Sequence, residues 1–270
     1  MKPAAALAFA LLASALAAVP PDAAQVLSAP AAMQRLLRAA ARNQVRFQRE
    51  RALYTYRRDF AFYELSDRYG NRGGHFQSLT DITYTTAGRP VRRVLKQVNA
   101  LRFLRLDQGD RYDLRHILPL VLTPQRLQLY YCRFLGMETV ALRDARGRAA
   151  GSLRAARFRI SPLQTWPRQR YFSGSVWIDP RTRGLVEISG RPVPDYAVRR
   201  HGREWQHLFG RFTTWFRLQD GKWWFPAYSA GSDWLGFSSG AVEVKEVVRY
   251  IGYKKFEVRH RIQLLPPPRP

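Results

Sequence analysis

A single cysteine, Cys132, stands among the 270 residues. It can close no internal disulfide, so the fold has to hold without covalent staples. The thiol lies in the apolar, strand-like run 129–134, which predicts a buried and inert side chain. Acids are scarce too: 20 of them face 45 Lys and Arg, a net charge of +25. Such a field favours anionic partners, an anionic membrane surface among them. The arginines are spread along the chain (Arg35, Arg57, Arg92, Arg115, Arg157, Arg199, Arg249) and form no block, which reads as a solvated basic surface and disfavours nucleic acid. Beyond the first residues no stretch reaches the ~18 consecutive apolar residues of a membrane-spanning helix.

Catalytic signatures are missing as well. There is no GxSxG, no HExxH, no GxxxxGK[ST] and no cysteine pair. His201, Glu204 and His207 lie close together, but their spacing does not set two ligands one helical turn apart, so they read as a solvated loop. No catalytic residue, metal or cofactor is predicted, and the protein is read as a non-enzyme. A secreted hydrolase would need a carboxylate pair that the sequence does not single out.

What is present begins with an export signal. Lys2 precedes the apolar stretch 4–18, broken only by Ser14, and small residues follow at Ala15-Leu16-Ala17 and again at Asp22-Ala23-Ala24. This predicts a signal peptide over 1–24, cut near 17 or 24, and a periplasmic, soluble mature chain. With no cysteine near the cut, a lipid anchor is not expected. Residues 25–265 then form one domain, 46% hydrophobic composition being ample for one large core. The Pro-rich tail 266–270 is expected to be disordered.

Met33, Leu36, Leu37, Ala40 and Phe47 recur at helical spacing and predict a basic amphipathic helix over 31–51, docked on its own domain. The period then changes. Strands are predicted at 53–65, 76–86 and 91–98, separated by turns at 67–74 and 88–90. A short polar helix follows over 107–116, and Thr123-Pro124 opens another turn of helix. Further strands are predicted at 130–135, 139–143, 152–160, 171–178, 185–189, 210–218, 222–228 and 241–253. Taking Asp220-Gly221 as a two-residue turn pairs Leu218 with Trp223 and Phe216 with Phe225. Phe212, Phe216, Leu218, Trp223, Phe225 and Ala227 then share one face. The sum is α+β, about ten antiparallel strands with few helices. A small outer-membrane barrel fits poorly, because strands such as Val91-Arg92-Arg93-Val94-Leu95-Lys96 lack a clean lipid-facing alternation.

The run Gln169-Arg170-Tyr171-Phe172-Ser173-Gly174-Ser175-Val176-Trp177-Ile178-Asp179-Pro180 leads into Gly184-Leu185-Val186-Glu187-Ile188-Ser189-Gly190-Arg191. Arg211-Phe212-Thr213-Thr214 and Asp220-Gly221-Lys222-Trp223-Trp224-Phe225-Pro226 complete the pattern. Together they resemble exported bacterial proteins of the Acidobacteria type that are related to the LolA/LppX-like outer-membrane lipoprotein-sorting carriers. The resemblance implies a strongly curved antiparallel sheet, an unclosed β-barrel, with helices covering its concave face. It further implies a monomeric carrier of lipid or lipoprotein acyl chains, held between sheet and helices. The candidate lining is Phe172, Val176, Ile178, Phe212, Phe216, Leu218, Trp223, Phe225, Val244 and Val248. The alternative is a sensor or interaction module of the same fold, binding a partner protein or an anionic envelope polymer. The arginine that such carriers use on their lid matches no single position here.

Overall fold

Residues 31–51 do form the amphipathic helix α1 (Ala31–Arg51), with Leu36, Leu37, Ala40, Ala41, Gln44 and Phe47 on its buried stripe. Arg49 and Arg51 in its last turn complement the negative end of the helix dipole. The computed structural model describes residues 27–28, 30–67, 69–104, 122–166, 169, 171–193, 197–200, 203–206, 210–237 and 240–256. The signal peptide, the short helix over 107–116 and the tail 266–270 lie outside the described residues, as do His201 and His207.

Thirteen strands follow in chain order among the described residues. They are β1 (Leu27–Ser28), β2 (Tyr54–Asp67), β3 (His75–Tyr84), β4 (Pro90–Asn99), β5 (Tyr130–Arg143), β6 (Ala149–Pro162), β7 (Tyr171–Ile178) and β8 (Leu185–Val193). Then come β9 (Ala197–Arg200), β10 (Arg203–Gln206), β11 (Phe212–Gln219), β12 (Trp223–Phe237) and β13 (Gly240–Lys255). Eleven make one sheet in the order β1-β5-β6-β7-β8-β11-β12-β13-β2-β3-β4. Its ends, β1 and β4, do not pair among the described residues, so the sheet is open. All pairings in it are antiparallel except β1 with β5, which is parallel. The small hairpin β9–β10 stands apart and replaces the loop expected around Glu204.

Two expectations change in detail. The strands predicted at 130–135 and 139–143 are one strand, β5, because a register shift at Gly136 absorbs the irregularity. Gly136 sits at φ 132, which a side chain would rarely allow. Asp220-Gly221 is indeed a tight turn, with φ 49 and 65, and the Lys222 N–H donates to the Gln219 carbonyl at 3.0 Å. The ladder, however, resumes at Gln219 opposite Trp223, so Leu218 faces Trp224 and Phe216 faces Pro226. That one-residue slip leaves Lys222 out of the ladder and divides the face assigned from alternation.

The sheet is strongly curved. β5 and β11 are four places apart in the order, about 19 Å on a flat sheet at the usual strand spacing. Yet the Arg143 guanidinium stacks 4.8 Å from the Trp215 ring centroid. Gly147, in the β5–β6 turn, abuts β12: a Cβ there would lie 2.8 Å from the Tyr228 ring. Glycine has no reach of its own, so the backbone itself must curl round. Curvature is eased where Gly174 and Gly190 pair across β7 and β8. A Cβ on either would come within 2.6 Å of the Phe172 ring, which fills the space they leave. Gly190→Ala is therefore expected to cost about 1–3 kcal/mol. Urea unfolding measures it, and a neutral substitution would refute this packing.

Two hydrophobic clusters result. One joins α1 to β5–β8, β11 and Trp224; the other lies between β2, β3, β12 and β13. α1 meets the sheet at hairpin turns: Asn43 Nδ2 donates to the Thr182 and Arg183 carbonyls at 3.1 and 3.3 Å. Phe47 packs edge-on to Trp223, 5.7 Å between centroids. A single-turn helix α2 (Pro124–Leu127), capped by the Thr123 hydroxyl accepting from the Arg126 N–H, lies beside α1. Among the described residues, α1 packs on the first cluster with α2 beside it. No helix among them is long and apolar enough to cross a membrane.

Candidate functional site

Most of the ten residues expected to line an acyl-chain space pack as core. Val176, Ile178 and Val248 have no exposed surface, and Phe172, Phe216, Phe225 and Val244 are also buried. Only Phe212, Leu218 and Trp223 are half-buried. The fold also separates them. Phe172, Val176, Ile178 and Phe216 belong to the first cluster, with Phe212, Leu218 and Trp223 packed against it. Val244 and Val248 belong to the second. Phe225 is in neither and sits against Tyr54 and Tyr253, 5.1 and 5.2 Å between centroids. Cys132 is fully buried, and burial pushes its thiol up to about 12, which leaves it protonated and inert.

One open space among the described residues lies elsewhere. A pocket of about 270 Å³ opens between the β5–β6 turn and strands β11–β13, lined by Ala145, Arg217, Gln219, Phe225, Tyr250 and Tyr253 among others. Tyr250 and Tyr253 are shared with a tyrosine group at the end of α1. Tyr56 lies 4.8 Å from Tyr253 and 6.2 Å from Tyr250 between ring centroids. Its hydroxyl is hydrogen-bonded to that of Tyr84. The Arg51 guanidinium lies in the field of all four phenols. On the sheet below, Arg58 faces Tyr250 across β2–β13, and Arg92 faces Ile82, itself opposite Tyr56. The sequence signal was present: Tyr56 and Arg58 alternate with Phe60 and Phe62, which puts a cation on an apolar face.

Other arginines are paired with acids. Arg57 meets Asp81 at 2.7 Å, Arg148 meets Asp144 at 2.7 Å, and Arg157 meets Glu138 at 3.0 Å. Arg249 meets Asp59 at 3.1 Å. Arg51 differs. It is half-buried as a residue, but its Nε is closed off from solvent and has no hydrogen-bond partner. The four phenols are the groups that act on it most strongly, and the Glu246 carboxyl acts on Tyr250 alongside Arg51 and Arg58.

The third feature is the sheet edge β4. One side pairs with β3; the other is unpaired among the described residues. Val91, Val94 and Leu95 are 47%, 55% and 40% exposed. Arg93 and Lys96 are exposed beside them, and the strand holds no acid.

No protein-family model matches the chain, and no curated protein matches it either. Solved structures give a distant likeness. The complex of Pseudomonas aeruginosa MucA and MucB aligns with 82% of this chain and 99% of that one, at 11% identity and a TM-score of 0.27. A second crystal structure, MucB in complex with MucA(peri), aligns with 80% of this chain and 99% of that one, at 12% identity and a TM-score of 0.26.

Proposed function

We propose that this chain is a non-enzymatic interaction module of the cell envelope that takes up an extended, acidic segment of a partner protein along β4. The observation that carries this is the edge of β4, which among the described residues offers unpaired backbone groups flanked by exposed Val91, Val94 and Leu95. A strand added there would gain main-chain hydrogen bonds, while its side chains meet both apolar and cationic neighbours. Charge selects the occupant. A second copy would set Arg93 and Lys96 against their own counterparts, whereas an acidic strand would complement them. The carrier reading receives less support, because the residues expected to line an acyl cavity are mostly filled core.

The test uses a synthetic peptide of alternating Glu and Val. It is expected to slow amide exchange in residues 90–99, with an affinity that falls as salt rises. The double reversal Arg93→Glu, Lys96→Glu is expected to weaken binding at least about tenfold. Unchanged exchange in β4 at saturating peptide would end the proposal, as would equal binding of a Lys–Val peptide.

A further inference from the structure

We propose that Arg51, Arg58 and Arg92, with the hydroxyls of Tyr56, Tyr84, Tyr250 and Tyr253, form a binding site for a phosphate monoester group.

Four observations converge on it. First, α1 delivers a guanidinium whose Nε is out of contact with water and makes no hydrogen bond. A cation held this way costs stability unless an anion joins it. Second, two more arginines lie close by on the sheet. Arg58 stands opposite Tyr250, and Arg92 is near enough to act on Arg58 electrostatically. Third, the surrounding side chains are tyrosines, which can donate to an anion; burial holds the Tyr250 hydroxyl up at about 12, so it keeps its proton. Fourth, the site has a way in. Arg92, Tyr84 and Tyr253 are half-buried, and the pocket of about 270 Å³ shares Tyr250 and Tyr253.

The donor set favours phosphate over carboxylate. A single arginine fork satisfies a carboxylate in two bonds. Three guanidiniums and a ring of hydroxyls, approaching from α1, β2 and β4, suit a group with three charged oxygens and about two negative charges. The phosphate could be free in solution or carried by a lipid headgroup. The chemistry recognised is the same, so the source has to come from experiment.

Thermal unfolding of the mature chain is followed with and without orthophosphate, and binding is followed with phosphatidylcholine vesicles lacking or containing phosphatidic acid. Arg154→Gln, at an exposed position on β6, removes the same charge from the surface and serves as control. For the wild type and the control, added phosphate is expected to raise the midpoint. Arg51→Met should show a higher midpoint than the wild type in anion-free buffer, because a desolvated, unbonded Nε has gone, and should lose most of the response to phosphate. Arg92→Gln, at the mouth, should weaken phosphate binding at least about tenfold without that gain. A response to orthophosphate and vesicles alike assigns a free-phosphate site. A response that needs phosphatidic acid, and that Arg51→Met loses but Arg154→Gln keeps, assigns a headgroup site. No response to either ligand, or an Arg51→Met protein that responds as the wild type does, overturns the proposal.

Discussion

Glu246→Gln is expected to stabilise this protein at neutral and alkaline pH, with the gain growing as pH rises. Glu246 lies on β13, opposite Phe62 on one side and Gly231 on the other, and is 8% exposed. No hydrogen bond or ion pair offsets its desolvation among the described residues, and burial alone raises its carboxyl from 4.5 to about 8. The folded protein therefore holds this proton over a range in which the unfolded chain releases it. The associated stability is complete below about 4.5 and drains away as pH climbs toward about 8. Linkage sets the slope at about 1.4 kcal/mol per pH unit, so the total comes to a few kcal/mol. The glutamine variant keeps the shape of the neutral acid and has nothing to ionise. Urea unfolding of both proteins from about pH 5 to about pH 8 reads the difference directly. Parallel stability curves would refute the assignment of a neutral buried acid.

Removing Glu64 should do the opposite and cost at least about 4 kcal/mol, since it orphans several charge-assisted bonds at once. Glu64 is 3% exposed. Its Oε2 accepts from the backbone N–H groups of Gly74 at 2.8 Å and Arg102 at 2.7 Å. Its Oε1 accepts from those of Phe103 at 3.0 Å and Leu104 at 2.6 Å. One carboxylate thus fastens residues 102–104 onto β2, and Leu101, Phe103 and Leu104 close the cluster around Phe60, Phe62 and Phe76. Glu64→Ala leaves four donors without an acceptor. Glu64→Gln turns an amide N–H₂ toward donors, so it should recover little. Thermal unfolding gives the size of the loss. Exchange of the 102–104 amides gives its place, because these should become labile before the central strands do. A loss under about 1 kcal/mol would mean that the segment is held by its apolar contacts alone.

The sequence made the local elements legible where one period ran long enough. Residues 31–51 show an unbroken helical stripe, and α1 occupies them; 171–178 are small, aromatic and β-branched, and β7 occupies them. Errors arose where a single residue shifts the register. Lys222 drops out of the β11–β12 ladder and moves Phe225 from opposite Phe216 to opposite Arg217. Alternation has no means of registering that, because it counts residues and not pairings. The candidate site was harder to read. Tyr56, Arg58 and Glu64 all fall on the apolar parity of β2, a signal that was there to be used. Arg92 joins them only through the pairing of β4 with β3 and of β3 with β2, and Arg51 only through where the end of α1 comes to lie; long-range arrangements of this kind are not encoded locally. Strand β1, two residues long and parallel to β5, is too short for any periodicity to show.

The place of β13 in the sheet order also governs the timing of assembly. Among the described residues, the β2–β3–β4 meander and strands β5, β6, β7, β8, β11 and β12 share no direct pairing in the ladder, and β13 bonds to both. The Arg249–Asp59 ion pair that crosses this seam links positions 190 apart in the chain. A chain emerging from its N-terminal end would therefore hold two unfinished sheets, each with a bare edge, until residue 255 is free. Such intermediates associate readily, and slow closure is what high contact order brings. The protein would then depend, during that interval, on a chaperone able to shield β2 and β12 from one another's copies.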